Sequence, residues 1–273
     1  MIKNICRVYI FLLAASMAAL FIQVTGFADN EGLSAWLADS ADNADASFTT
    51  EDGEVVYVED LTEALCDGDF VNTYSGAEIK LLRDIYPEIE FAVGSINSQS
   101  CFTLDLNGHA ISDSQVSKSG GKLTIKDSSA DMNGTISGKC NFADLEELTI
   151  EGGNFICPID ADYCGVHLYN CINATINGGV FEGRYNGMDI DFSNVTINGG
   201  TFNATGPIYS GDSVFHGGVV AGLRYSSTMY NSDEVKLRGG TFYGSDYAIQ
   251  MEQPIPVMTE VRDFLGNSDT DTE

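Results

Sequence analysis

Leu148-Thr149-Ile150-Glu151-Gly152-Gly153-Asn154-Phe155 returns as Ala174-Thr175-Ile176-Asn177-Gly178-Gly179-Val180-Phe181, and again as Val195-Thr196-Ile197-Asn198-Gly199-Gly200-Thr201-Phe202. A further copy is Val235-Lys236-Leu237-Arg238-Gly239-Gly240-Thr241-Phe242. The common pattern is apolar-x-apolar-x-Gly-Gly-x-Phe. Its period of two sends Leu148 and Ile150 to one face of a strand and Thr149 to the other. The glycine pair then turns the chain without a Cβ penalty before Phe155 points inward again. Upstream, Leu104-Asp105-Leu106-Asn107-Gly108-His109-Ala110-Ile111 keeps the offsets with the second glycine replaced. Leu123-Thr124-Ile125-Lys126-Asp127 starts in the same way, and Ile79-Lys80-Leu81 fits a first copy.

Copies starting at residues 79, 104, 123, 148, 174, 195 and 235 suit one coil each of a β-solenoid, in which successive coils stack about 4.8 Å apart. A single coil cannot bury its apolar face alone, so stacking supplies a continuous core of Ile, Leu, Val and Phe. A second strand lies between copies: Gly165-Val166-His167-Leu168-Tyr169, Gly187-Met188-Asp189-Ile190-Asp191, Gly218-Val219-Val220-Ala221 and Tyr247-Ala248-Ile249-Gln250-Met251. The long interval before Val235 reads as one coil carrying a loop over about Asn203 to His216, on a face where binding tends to occur.

These segments, with Ala77-Glu78-Ile79-Lys80-Leu81-Leu82-Arg83-Asp84-Ile85 and Gly120-Gly121-Lys122-Leu123-Thr124-Ile125-Lys126-Asp127-Ser128, carry a resemblance. The chain resembles secreted right-handed parallel β-helix proteins of the pectin lyase-like superfamily, and is similar to uncharacterised secreted and surface proteins of Gram-positive bacteria. The resemblance covers roughly residues 55 to 252 and implies an all-β, right-handed parallel β-helix of about six to seven coils with short helical caps. For chemistry it is less specific. Polygalacturonase-like members carry an Asp-Asp pair, a Gly-His-Gly segment and Arg-x-Lys. Here His216-Gly217-Gly218 departs from the second pattern, and the other two do not occur. Pectate-lyase-like members join a calcium-binding acidic cluster to a basic residue, a place that Arg184 or Arg224 would fill.

The flanks complete the organisation. Lys3 and Arg7, the apolar run from Val8 to Val24, and Gly26-Phe27-Ala28 read as a secretory signal peptide over residues 1–28. The uncleaved alternative would anchor the chain in a membrane through that segment alone. Residues 29–50 read as a flexible acidic linker, and 51–252 as the β-helix domain with its N-terminal cap. In that cap Val55 to Val58 form a strand, and Asp60 with Glu63 frames a short helix through Leu65. Residues 253–273 read as a C-terminal cap segment, with a helix over Thr259 to Leu265, and an acidic tail.

The 273 residues carry 13 Lys and Arg against 40 Asp and Glu, a formal charge of −27, which excludes an electrostatic nucleic-acid binder. The hydrophobic share of 44% is enough for a core. Beyond the signal segment stand Cys66, Cys101, Cys140, Cys157, Cys164 and Cys171. An even count in an exported chain permits three disulfides of open connectivity, while the plainer role is small apolar filler. No CxxC pair argues for zinc or redox chemistry.

Outward columns are where chemistry would gather. Asp105, Thr124, Thr149, Thr175, Thr196 and Lys236 form one such column, expected to be solvent-facing β-propensity, and Asn107, Asn177 and Asn198 stand at the turns. On the second strand, Val166 and Leu168 point in, so His167 and Tyr169 point out, and the same parity exposes Asp189 and Asp191 one coil later. Gln250 and Glu252 extend that face two coils further, with Arg184, Arg224 and Tyr225 in nearby loops. His167 beside Asp189 is a possible acid/base pair, with Asp191 a further catalytic candidate. Asp189, Asp191 and Glu252 offer oxygens to Ca2+. The same polar residues also suit an ordinary solvated face. The expected function is a secreted or cell-surface module that binds an extracellular polysaccharide or cell-wall glycan, with no nucleic-acid partner. The alternatives are a polysaccharide lyase or glycoside hydrolase, and a structural surface spacer.

Overall fold

A computed structural model describes residues 9–12, 20–23, 36–87, 91–92, 99–158, 164–205, 217–222, 235–244 and 247–251. From residue 78 onward the chain is a β-solenoid of stacked parallel strands. One sheet carries, in order, the parallel strands Glu78–Leu81, Cys101–Asp105, Lys122–Lys126, Glu147–Ile150, Ala174–Ile176, Val195–Ile197 and Val235–Leu237. A second sheet begins with the short strand Phe91–Ala92 against Ala110–Ser119, which in turn pairs in parallel with the long strand Thr135–Ala143 across one register shift between Ser137 and Gly138. There the ladder divides. Asn154–Ile156, Val180–Gly183, Thr201–Ala204 and Thr241–Tyr243 stack on the first part of Thr135–Ala143. Val166–Tyr169, Asn186–Asp191, Gly217–Gly222 and Tyr247–Met251 stack on its second part.

The repeat aligns the core in files. Ile125, Ile150, Ile176, Ile197 and Leu237 are successive partners across the first sheet, and all are buried. Phe155, Phe181, Phe202 and Phe242 form a second file, with neighbouring ring centroids 5.0, 4.7 and 5.0 Å apart and planes within 10° of parallel. The glycine doublet makes that stacking possible. At Gly199 a Cβ would meet the Asn177 carbonyl oxygen at 2.7 Å, so only glycine lets the coil below approach. Gly200 has φ of +112°, a backbone conformation that L side chains resist. The turn is braced from outside by an amide ladder: Asn198 Nδ2 donates to Asn177 Oδ1 at 2.7 Å, and Asn177 Nδ2 to Glu151 Oε1 at 3.0 Å.

The pairing corrects one register. Leu104 stands opposite Ile125, and Phe102 opposite Leu123, so Thr103 rather than Asp105 belongs to the column with Thr124 and Thr149. Asp105 is buried, and its Oδ1 accepts hydrogen bonds from the backbone amides of Asn107 and Ser128, so it braces a turn instead of facing solvent. A second correction concerns the stretch read as a linker. Ala46–Thr49 is a strand, antiparallel to both Val55–Val58 and Glu78–Leu81, which closes the end of the first sheet. Apolar positions explain the difference: Ala46 and Phe48 are buried, and Phe48 packs on Phe70 and Tyr74. The cap's helix Leu61–Ala64 starts at Asp60, whose carboxylate accepts from the Glu63 amide, and Gly68–Thr73 follows. The expected C-terminal helix and tail lie outside the described residues.

The strands Tyr9–Leu12 and Leu20–Gln23 pair antiparallel with each other. No helix among the described residues is long and apolar enough to cross a membrane. No disulfide links the six cysteines beyond residue 28. Cys140, Cys157, Cys164 and Cys171 are buried as core filler, while Cys66 is exposed.

Lys118 is the exception within the core. It pairs with Phe142 on the inward row and is 2% exposed, with its Nζ 3.2 Å from Ser100 Oγ. Burial pushes its ammonium down from 10.5 to about 8, against a smaller opposing pull from Cys101.

Two predictions follow from this packing. Phe202→Ala breaks the ring file in its middle and should destabilise the chain by about 3–5 kcal/mol in chemical denaturation. Because the folded state releases the Lys118 proton near pH 8 and the unfolded state near 10.5, stability should rise with pH through that window. The full rise amounts to roughly 3 kcal/mol. In Lys118→Met that component of the pH dependence should vanish, as read from the difference between the two proteins' denaturation profiles.

Candidate functional site

The strand Val166–Tyr169 and its neighbour Asn186–Asp191 assemble the site. Their register sets His167 opposite Asp189 and Tyr169 opposite Asp191, the juxtaposition expected from alternation. Inward, Val166, Leu168, Met188 and Ile190 are buried and lock the phase, so the polar residues have no choice of face. The close approach of the strands begins at Gly165, where a Cβ would meet the Gly187 carbonyl oxygen at 2.6 Å.

The geometry is tighter than a solvated face. His167 Nε2 lies 3.2 Å from Asp191 Oδ2, a diagonal contact across the two strands. The imidazole nitrogen and one oxygen each of Asp189 and Asp191 all lie within 4.8 Å of one another. The expectation that Asp189 and Asp191 are exposed is corrected: they are 8% and 9% exposed despite pointing away from the core. Asp191 Oδ1 is buried and has no hydrogen-bond partner. The Asp191 main chain is fixed, since its carbonyl accepts from Ser193 Oγ at 2.8 Å and from the Asn170 amide at 3.0 Å. Tyr169 stands at the rim, 43% exposed, with its ring 5.5 Å from Phe192 in an edge arrangement and 6.4 Å from the His167 ring.

The remaining expected site residues divide. Gln250 shares the row, since Asp189 pairs with Val220 and Val220 with Gln250, so an apolar residue separates it from the carboxylates. Arg184 follows the strand Val180–Gly183 and stacks on Tyr185 at 5.5 Å. Arg224, Tyr225 and Glu252, with most of the long loop at 206–216, lie outside the described residues.

Two features escaped the sequence reading. Phe192 buttresses Tyr169 from a left-handed backbone position, φ 52°, that no motif announces. A cavity of about 500 Å³ opens at the cap, lined among others by Asp45, Glu59, Asp60, Glu63, Arg83 and Asp84. Its central groups are already engaged: Asp45 accepts from Arg83 at 2.6 Å and from the Leu61 amide at 2.9 Å, which ties the helix to the sheet. The His167 cluster, with a buried carboxylate oxygen to spare, has the greater capacity for a ligand.

Comparison with protein-family models, with curated proteins and with solved structures finds no match to this chain.

Cys164 adjoins the site, its thiol pushed well up by burial and then by the charge of Asp189, and burial raises Cys171 to about 11. A thiol reagent at neutral pH should therefore modify Cys66 in the native chain and leave Cys140, Cys157, Cys164 and Cys171 untouched until denaturant is added, as read by mass spectrometry.

Proposed function

We propose that this protein is a secreted or cell-surface binding module, a right-handed parallel β-helix of six to seven coils of the pectin lyase-like kind, that binds an extracellular carbohydrate at the His167, Tyr169, Asp189 and Asp191 face. The observation that carries the reading is Tyr169 at the rim of a carboxylate cluster. A half-exposed aromatic ring supplies a flat apolar surface for a sugar, and adjacent carboxylates accept its hydroxyl hydrogens. The signal-like start supports export, and the charge of −27 favours a neutral or cationic glycan over a polyanion. Arg184, Arg224, Gln250 and Glu252 are the flanking ligand-binding candidates.

A second reading, a polysaccharide lyase or glycoside hydrolase, is favoured by one contact: His167 Nε2 on Asp191 Oδ2, beside the second carboxylate of Asp189. Such a pair can hold and pass a proton.

A glycan array followed by titration separates the readings. Binding of a neutral or amino-sugar polymer should weaken at least about tenfold, or 1.4 kcal/mol, in Tyr169→Ala and in Asp189→Asn. Release of reducing ends or unsaturated products that disappears in Asp189→Asn would replace the binding reading by the enzymatic one. An array with no bound glycan and no turnover would leave a structural spacer.

A further inference from the structure

We infer that His167, Asp189 and Asp191 form a site for one divalent transition-metal ion of the zinc class, a role that does not depend on glycan binding. Three donors of the right kind converge: an imidazole nitrogen and two carboxylate oxygens within 4.8 Å of one another. Ligands around a tetrahedral ion at about 2.0–2.1 Å stand roughly 3.3 Å apart. The His167 Nε2 to Asp191 Oδ2 separation of 3.2 Å already meets that spacing, and the Asp189 oxygen lies within 4.8 Å of both.

The second observation is the spare oxygen. Asp191 is 9% exposed, and its Oδ1 is buried without a hydrogen-bond partner. A carboxylate oxygen removed from water without compensation is costly, and a bound cation would remove that cost, either through this oxygen or by shared charge across the carboxylate. The scaffold is rigid where it matters: the donors sit on adjacent parallel strands whose inward residues are core.

The donor set discriminates among ions. Ca2+ asks for six to eight oxygens, whereas this cluster gives two carboxylates and a nitrogen. Imidazole with carboxylates suits zinc and its neighbours, and three protein ligands leave a fourth position for water or another ligand. Zinc takes the Nε2 lone pair, so a proton held between Nε2 and Asp191 moves to Nδ1 or to solvent. Binding therefore releases or relocates that proton.

The test is calorimetric titration of the full chain with zinc chloride, alone and against a large excess of calcium chloride, with circular dichroism to confirm folding. One zinc per chain should bind, calcium should not displace it, and His167→Gln and Asp191→Asn should each weaken it at least about tenfold. Cobalt(II) substitution should give a visible d–d spectrum that His167→Gln alters. Unchanged zinc affinity in both variants, displacement by calcium, or a sulfur-to-cobalt charge-transfer band would overturn the assignment. Should His167→Gln fail to fold, Asp191→Asn and Asp189→Asn decide on the same terms. Glycan binding that persists in chelator leaves the carbohydrate reading standing, and zinc binding without any glycan leaves this one standing, so the two fail separately.

Discussion

The stacking of one coil on the next at the glycine doublets governs this molecule. Four phenylalanine rings lie nearly parallel at 4.7 to 5.0 Å, close to the separation of hydrogen-bonded strands. That coincidence lets backbone ladder and aromatic file share one rise. It holds only if nothing projects between coils at the turn, which is why Gly178, Gly199 and Gly239, the first glycines of their doublets, each face a carbonyl oxygen of the coil below. The second glycine redirects the chain through positive φ so that Phe returns to the interior. Neither half works alone: without the turn the ring would miss the file, and without the rings the turns would enclose little apolar area.

Fixed registration has a chemical consequence on the outer surface. In a solenoid every outward side chain acquires neighbours from the coils above and below, so residues far apart in sequence stand side by side. His167 and Asp191 meet across 24 positions of chain because Leu168 and Ile190 are paired in the core. The apolar interior thus fixes one imidazole nitrogen and an oxygen from each of two carboxylates within 4.8 Å of one another.

The fold was legible because its signal is redundant. Alternation, doublet and Phe recur together four times, and each copy confirms the offsets of the others. Where the redundancy thins, the reading slips. Between Leu104 and Leu123 the only glycine doublet, Gly120-Gly121, precedes its strand instead of following it and no Phe completes the motif, and a shift of two residues keeps every apolar residue inward, so alternation alone could not tell Thr103 from Asp105 as the partner of Thr124. The cap strand Ala46–Thr49 was hidden for a similar reason: four residues with two core positions resemble a polar linker until Phe48 finds Phe70. The site followed the same logic. Parity on Val166–Tyr169 and Asn186–Asp191 named its residues, but parity states a direction and not an exposure. The burial of Asp189 and Asp191, and the diagonal contact of His167 with Asp191, depend on side-chain packing that local pattern does not encode.

The location of the site on this one ladder has a structural cause. In Ala110–Ser119 and Thr135–Ala143 a single long strand spans the second sheet, and the two pair with one register shift between Ser137 and Gly138. After Thr135–Ala143 the ladder divides, and the strands bearing the doublet motif separate from Val166–Tyr169 and its successors. The motif strands stay committed to the Phe file. The other ladder is free of the doublet motif, so its outward positions carry His, Tyr and Asp while its inward residues keep the stack. A rigid rod with one chemically unconstrained ladder is a general way to vary a binding surface while the core stays constant, and the polar cluster sits where that freedom begins.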